Sequence, residues 1–130
     1  MKITVRIING PLTDSGQVLR IPDAGAVVCF HGIVRELEQG RRILALDYEV
    51  YSPMAEQELQ RLAGEVVQTH GLAAISVDHS RGRVPVGECS FRLTVASMHR
   101  KASLTAMDEF IDRMKMDVPI WKHPIFAEDR

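Results

Sequence analysis

The chain has 130 residues, a formal net charge of -1, 45% hydrophobic and 25% charged residues. Near-neutral bulk charge gives no signal for a nucleic-acid partner or an anionic membrane surface, and the composition is that of a globular protein able to bury a real core. A chain of this length is expected to be one domain over 1–130, and since no run approaches the roughly 20 apolar residues that cross a bilayer, it is expected in the cytoplasm and without a membrane partner.

The start, MKITVRIING, alternates Ile3, Val5 and Ile7 like a strand and lacks the continuous apolar region of a signal peptide. Thr13 to Pro22 reads as a loop or a short helix. Gly25 to Val34 is a strand rich in β-branched residues, with Gly32 marking a bulge or a close approach. Glu36 to Arg42 is polar and predicts a hairpin tip. Ile43 to Tyr51 alternates Leu44, Leu46, Tyr48 and Val50 against Asp47 and Glu49, the pattern of a half-exposed strand.

Ser52-Pro53 predicts a helix start, with serine capping free N–H groups and proline at the first helical position. Ala55, Leu59, Leu62, Ala63, Val66 and Val67 form its buried stripe, and Gly71 is placed to end it in the left-handed conformation. Ala74 to His79 is a further strand, Arg81-Gly82-Arg83 a basic turn, and Cys89 to Val95 a long strand. Cys29 and Cys89 fall inside strand-like runs, where cysteine behaves as a small buried hydrophobe and no disulfide is expected. A second helix carries Leu104, Met107, Phe110, Ile111 and Met114 on one stripe. Val118-Pro119 ends it and Ile120-Trp121-Lys122 continues extended. Strands outnumber helices and come partly in adjacent pairs, so the fold class is α+β: a mostly antiparallel sheet packed with two main helices.

Cations supply the chemical signal. At 100° per residue Lys115 projects about 40° from Ile111 and about 20° from Leu104, at the edge of the buried stripe. Lys122 adjoins the single tryptophan, and His99-Arg100 precedes a helix start, where free N–H groups favour an anion. These groups are expected to converge on one anionic ligand. The bland readings stand beside this: Lys115 snorkelling past apolar neighbours, Lys122 solvated, Arg100 paired with Glu109 or Asp112. Cys29 and His31 have no second pair in the sequence to complete a tetrahedral metal site, so no metal is expected. No dinucleotide, phosphate-loop or nucleophile-elbow fingerprint occurs, and no cofactor is expected.

From Asp23 to Lys122 the motifs GAVVCFHGIVR, LDYEVYSPMAEQEL, HSRGRVPVGE and TVASMHRKAS follow one another. A helix then closes on Lys115, Pro119, Trp121 and Lys122. In this order they resemble the catalytic (large) subunit of molybdopterin synthase, the MoaE family. The resemblance implies an α/β hammerhead-like fold with a small extra antiparallel sheet. It implies an enzyme, a sulfurtransferase that converts a cyclic pyranopterin monophosphate to molybdopterin. The sulfur donor would be the C-terminal Gly-Gly thiocarboxylate of a small ubiquitin-like subunit, and this chain would form the central homodimer of a heterotetramer. Lys115 and Lys122 then match the catalytic lysines, and Arg35, His99 and Arg100 the substrate-binding positions. Among the departures, His123-Pro124 stands where the family has a basic residue and a glutamate, and Glu36-Leu37 replaces an asparagine after Arg35. The altered end motivates one alternative, a non-catalytic homologue that docks the small subunit without turnover; a second alternative is an unrelated anion-binding α+β enzyme.

Overall fold

The structure is a computed structural model that describes residues 2–14, 16 and 19–127. Its elements are β1 (Lys2–Asn9), β2 (Ala26–Ile33), β3 (Leu37–Glu38), β4 (Arg41–Val50), α1 (Met54–His70), β5 (Ala74–Pro85), β6 (Cys89–Ser97), α2 (Arg100–Asp117) and β7 (Ile120–Phe126). The strands run β2-β6-β5-β4-β3, with β1 also beside β5 and β7 beside β4. Among the described residues only the β1–β5 pairing is parallel. The class is α+β, as the alternating strands and two stripes predict.

β5 joins two parts of the sheet. Its first half lies between β1 and β6, whereas Gly82 to Pro85 pairs with Tyr48 to Ala45 of β4, which β7 flanks on the other side. The predicted basic turn at Arg81-Gly82-Arg83 is therefore strand. Gly82 takes φ 84 there, a conformation open to glycine without the Cβ clash other residues meet, so the strand bends without ending. The β4–β5–β7 part is the smaller antiparallel sheet.

Both helices cover one face of the larger part, where Leu59, Leu62, Val66 and Phe110 pack on Ile75, Val77, Leu93 and Val95. α1 buries the stripe read from its sequence and stops at Gly71 with φ 64 and ψ 43. Its start differs. Pro53 occupies the cap position and Ser52 caps no backbone group. The Ala55 and Gln57 N–H groups donate to the carbonyls of Tyr51 and Pro53. The serine hydroxyl is thereby left to donate to Glu56 Oε2 at 2.8 Å and to accept from Arg81.

In α2 the buried residues are Ser103, Ala106, Met107, Phe110 and Met114, and Leu104, placed on the stripe by its sequence spacing, is 51% exposed. Ser103 takes the buried position because its hydroxyl meets Ser97 Oγ at 2.5 Å, which removes the cost of burying it. Leu44 is likewise 50% exposed. A register shift between Ile43 and Ala45 breaks the alternation and turns Ile43 and Ala45 inward. Cys89 is buried as expected, but Cys29 is exposed, because β2 is the outer strand of the sheet. The Glu36 to Arg42 segment is the predicted hairpin, with Gln39 and Gly40 at φ 55 and 77 as a tight two-residue turn requires. Among the described residues no helix is long and apolar enough to cross a membrane.

Candidate functional site

A cleft of about 480 Å³ opens where the two parts of the sheet meet the C-terminal end of α2. Phe30, Leu46, Phe91, Ile111, Met114 and Ile120 give its lining an apolar part. Arg35, Lys115 and Lys122 bring three cations to it. α2 supplies Lys115 next to the half-buried Ile111 and buried Met114, so the lysine stem leaves the stripe's edge as its helical angle predicts. β7 supplies Lys122, held opposite Tyr48 of β4, and the short segment after β2 supplies Arg35. Gly32 lets β2 close over β6: an added Cβ would lie 3.2 Å from Phe91 Cβ.

One carboxylate tempers this charge. Lys122 Nζ lies 3.4 Å from Glu38 Oε1 in β3. Among the described residues neither Lys115 nor Arg35 meets a carboxylate within ion-pair distance, so both keep charge for a ligand. The remaining polar lining is neutral. Tyr48 Oη and Ser90 Oγ share a hydrogen bond of 2.8 Å, and burial pushes the Tyr48 phenol up from its ordinary value. His79 is 6% exposed; burial drives its imidazole pKa down. A partly apolar cleft with two unpaired cations, Lys115 and Arg35, and a few neutral hydrogen-bonding groups suits an anion carrying an uncharged body.

His99 and Arg100 are not in this cleft. They lie at the opposite end of α2, about 22 Å from Lys115 along the axis at 1.5 Å per residue. The convergence expected from the sequence is therefore partial: Lys115 and Lys122 meet, with Arg35, a position given by the resemblance, beside them, and the helix start does not join them within one chain. Arg100 is not paired with Glu109 or Asp112 either. Glu109 accepts instead from His70 Nε2 at 3.0 Å and Arg113 Nη1 at 3.3 Å.

The family model described as MoaE protein matches residues 11–117. The chain belongs to the MoaE family. A curated relative, the molybdopterin synthase catalytic subunit of Homo sapiens, is 40% identical over 112 residues, 86% of this chain. The chain spans only 60% of that relative's length. Among solved structures, molybdopterin synthase from Staphylococcus aureus superposes with a TM-score of 0.84 at 32% identity, covering 95% of this chain and 91% of that one. The fold also matches a protein–protein complex of subunits 1 and 2 of molybdopterin-converting factor from Helicobacter pylori 26695, with a TM-score of 0.74 at 24% identity. That match covers 97% of this chain and 91% of the other, and it bears on the fold alone.

In this MoaE chain the cleft also holds groups that charge and spacing did not single out: Glu38, Tyr48, His79 and Ser90. Tyr48 shares its strand face with Leu46, and His79 shares one with Ile75 and Val77. Each reads as core in the alternation. Only the pairing of β4 with β5 and β7 turns that face into a cleft lining.

Proposed function

We propose that the chain is the catalytic subunit of a molybdopterin synthase, a cytoplasmic sulfurtransferase acting on a cyclic pyranopterin monophosphate. The carrying observation is that Lys115, Lys122 and Arg35 reach one partly apolar cleft from three separate elements. In the reaction so read, the thiocarboxylate sulfur of a small ubiquitin-like subunit bonds to a pterin side-chain carbon as that carbon's bond to oxygen breaks, the oxygen leaving as water or staying with the opened phosphate. Water then cleaves the acyl–sulfur bond, leaving sulfur on the pterin and a carboxylate on the donor's terminal glycine, and two such transfers complete the dithiolene.

Phosphate, thiocarboxylate and the oxyanion formed during hydrolysis are all negative. Positioned cations in a cleft with a partly apolar lining stabilise such charge more than water does. Lys122 and Arg35 hold the phosphate end, and Lys115, with no carboxylate partner among the described residues, faces the reacting carbon and its oxyanion. His99 and Arg100 take no part in this cleft within one chain. The donor's tail enters from the open side, and a homodimer of this chain with one small subunit at each end is the assembly proposed.

Incubation with thiocarboxylated small subunit and the cyclic pterin phosphate tests the reading, with dithiolene pterin as the product sought. The wild-type chain is expected to form it. Lys115→Ala is expected to lose turnover by about a hundredfold or more while still binding the small subunit. Wild-type binding without product would make the chain a docking homologue instead. Full turnover by Lys115→Ala would remove that lysine from the chemistry. Light scattering of the assembled complex checks the two-plus-two stoichiometry.

A further inference from the structure

The cations explain how the cleft takes an anion; they do not explain what the buried histidine is for. His79 Nδ1 lies 2.8 Å from the Ser80 carbonyl oxygen. A carbonyl only accepts, so the proton sits on Nδ1 and Nε2 carries the bare lone pair. The ring is held in place by an edge contact with Tyr48, centroids 5.1 Å apart at 82°, and by Phe91 at 5.8 Å. Among the described residues Nε2 has no hydrogen-bond partner, and it is not sealed off as a fully covered unpaired atom. It belongs to a side chain that lines the cleft. A fixed acceptor on the cleft lining that the fold leaves unused is available to a ligand donor.

The sign of this group narrows the ligand. A neutral nitrogen lone pair repels phosphate and carboxylate oxygens and attracts N–H or O–H. The neighbouring Tyr48–Ser90 hydroxyl pair adds donor and acceptor capacity without charge. The cleft thus has a cationic part at Lys115, Lys122 and Arg35 and a neutral, donor-seeking part at His79. An elongated ligand with an anionic end and an N–H-bearing heterocyclic end fits in one orientation only.

We propose that His79 Nε2 is a specificity-determining acceptor that takes a hydrogen bond from a ring N–H or exocyclic amino group of the pterin while the phosphate lies at the lysines. This rests on the reading of the cleft as a pterin phosphate site, and it adds the group that selects and orients the heterocycle. Nε2 touches the substrate but exchanges no atom with it, so its removal weakens pterin binding and raises KM more than it lowers kcat.

Binding of the cyclic pterin phosphate and of inorganic phosphate to the full chain is compared by calorimetry for wild type, His79→Phe and His79→Gln. His79→Phe is expected to lose about tenfold to a hundredfold in pterin phosphate affinity, the loss of a donor left without its acceptor, with phosphate affinity unchanged. His79→Gln, which returns an acceptor near the Nε2 position, is expected to recover most of that loss. Equal binding of pterin phosphate by wild type and His79→Phe overturns the proposal, as does equal loss of pterin phosphate and phosphate together. Should His79→Phe fail to fold, nitrogen NMR of the wild-type imidazole decides. A shift of the Nε2 resonance on adding pterin phosphate and not on adding phosphate supports the hydrogen bond, and no shift overturns it. A wild type that binds phosphate but not the pterin phosphate would instead sink the underlying reading of the site.

Discussion

Asp78 and His79 are consecutive in β5 and project from opposite faces of the sheet, and their fates differ. Asp78, 2% exposed, accepts from Arg6 Nε at 2.7 Å and Nη2 at 3.1 Å and from Arg92 Nε at 3.1 Å and Nη2 at 2.8 Å. Arg92 also donates to the Asp14 carboxylate and carbonyl, both at 2.9 Å. Asp14 is thereby tied down on that face, where Leu19 packs on Ala74 and Ala96. Gly16, at φ 76, leaves the guanidinium its space, since an added Cβ would lie 2.6 Å from Arg92 Nε. On the other face the His79 imidazole is also buried yet leaves one nitrogen unclaimed. A buried polar group with every bond filled serves the fold; one left open on a cleft lining is available to the proposed ligand.

Breaking the filled side should cost stability first. Asp78→Ala strands Arg92, 3% exposed, without its buried counter-charge, and a loss of about 3–5 kcal/mol is expected, read by urea unfolding. The open side should behave in the reverse way. Lys122→Ala is expected to weaken phosphate binding by about tenfold, while its midpoint of unfolding moves by no more than about 0.5 kcal/mol equivalent. A large stability loss there would mean that the Lys122–Glu38 pair holds the β3 hairpin rather than serving a ligand.

Acidification sharpens the contrast with a smaller effect. Burial depresses the folded pKa of His79 below its ordinary 6.5, so its contribution is complete above pH 6.5 and is lost as pH falls through the lower folded value. The hydrogen bond from Arg92 depresses the Asp14 carboxyl below its ordinary 3.8, so its contribution lasts until pH falls below that range. Stability should therefore decline in two separated stages on acid titration. His79→Gln should remove the first stage and leave the second. The smallest effect belongs to Leu104→Ser, expected within about 0.5 kcal/mol of wild type, because this leucine lies outside the core.

The sequence spacing was reliable where one periodicity met one partner. The α1 stripe and the Gly71 stop were legible because a helix on a sheet needs one apolar face and one left-handed residue. Lys115 was legible because its angle from Ile111 is set by the helix alone. Leu104 and Leu44 misled for local reasons: a buried serine found a serine partner, and a shifted register reversed the alternation. Tyr48 and His79 were hidden because apolar alternation does not distinguish a closed core from a cleft. His99-Arg100 looked close to Lys115 because both belong to the same cationic stretch. Chain proximity says nothing about which end of an 18-residue helix a side chain occupies.

β5 has a consequence for how the site moves. Its residues from Ala74 to His79 are flanked by β1 and β6, and Gly82 onward by β4. Amide protons of the strand bearing His79 should therefore exchange with deuterated solvent only when the whole molecule opens, whereas the Gln39–Gly40 tip exchanges by local fraying. A ligand would find the floor already rigid and would slow exchange chiefly at the rim, so little of its binding energy goes into ordering the groups that select it.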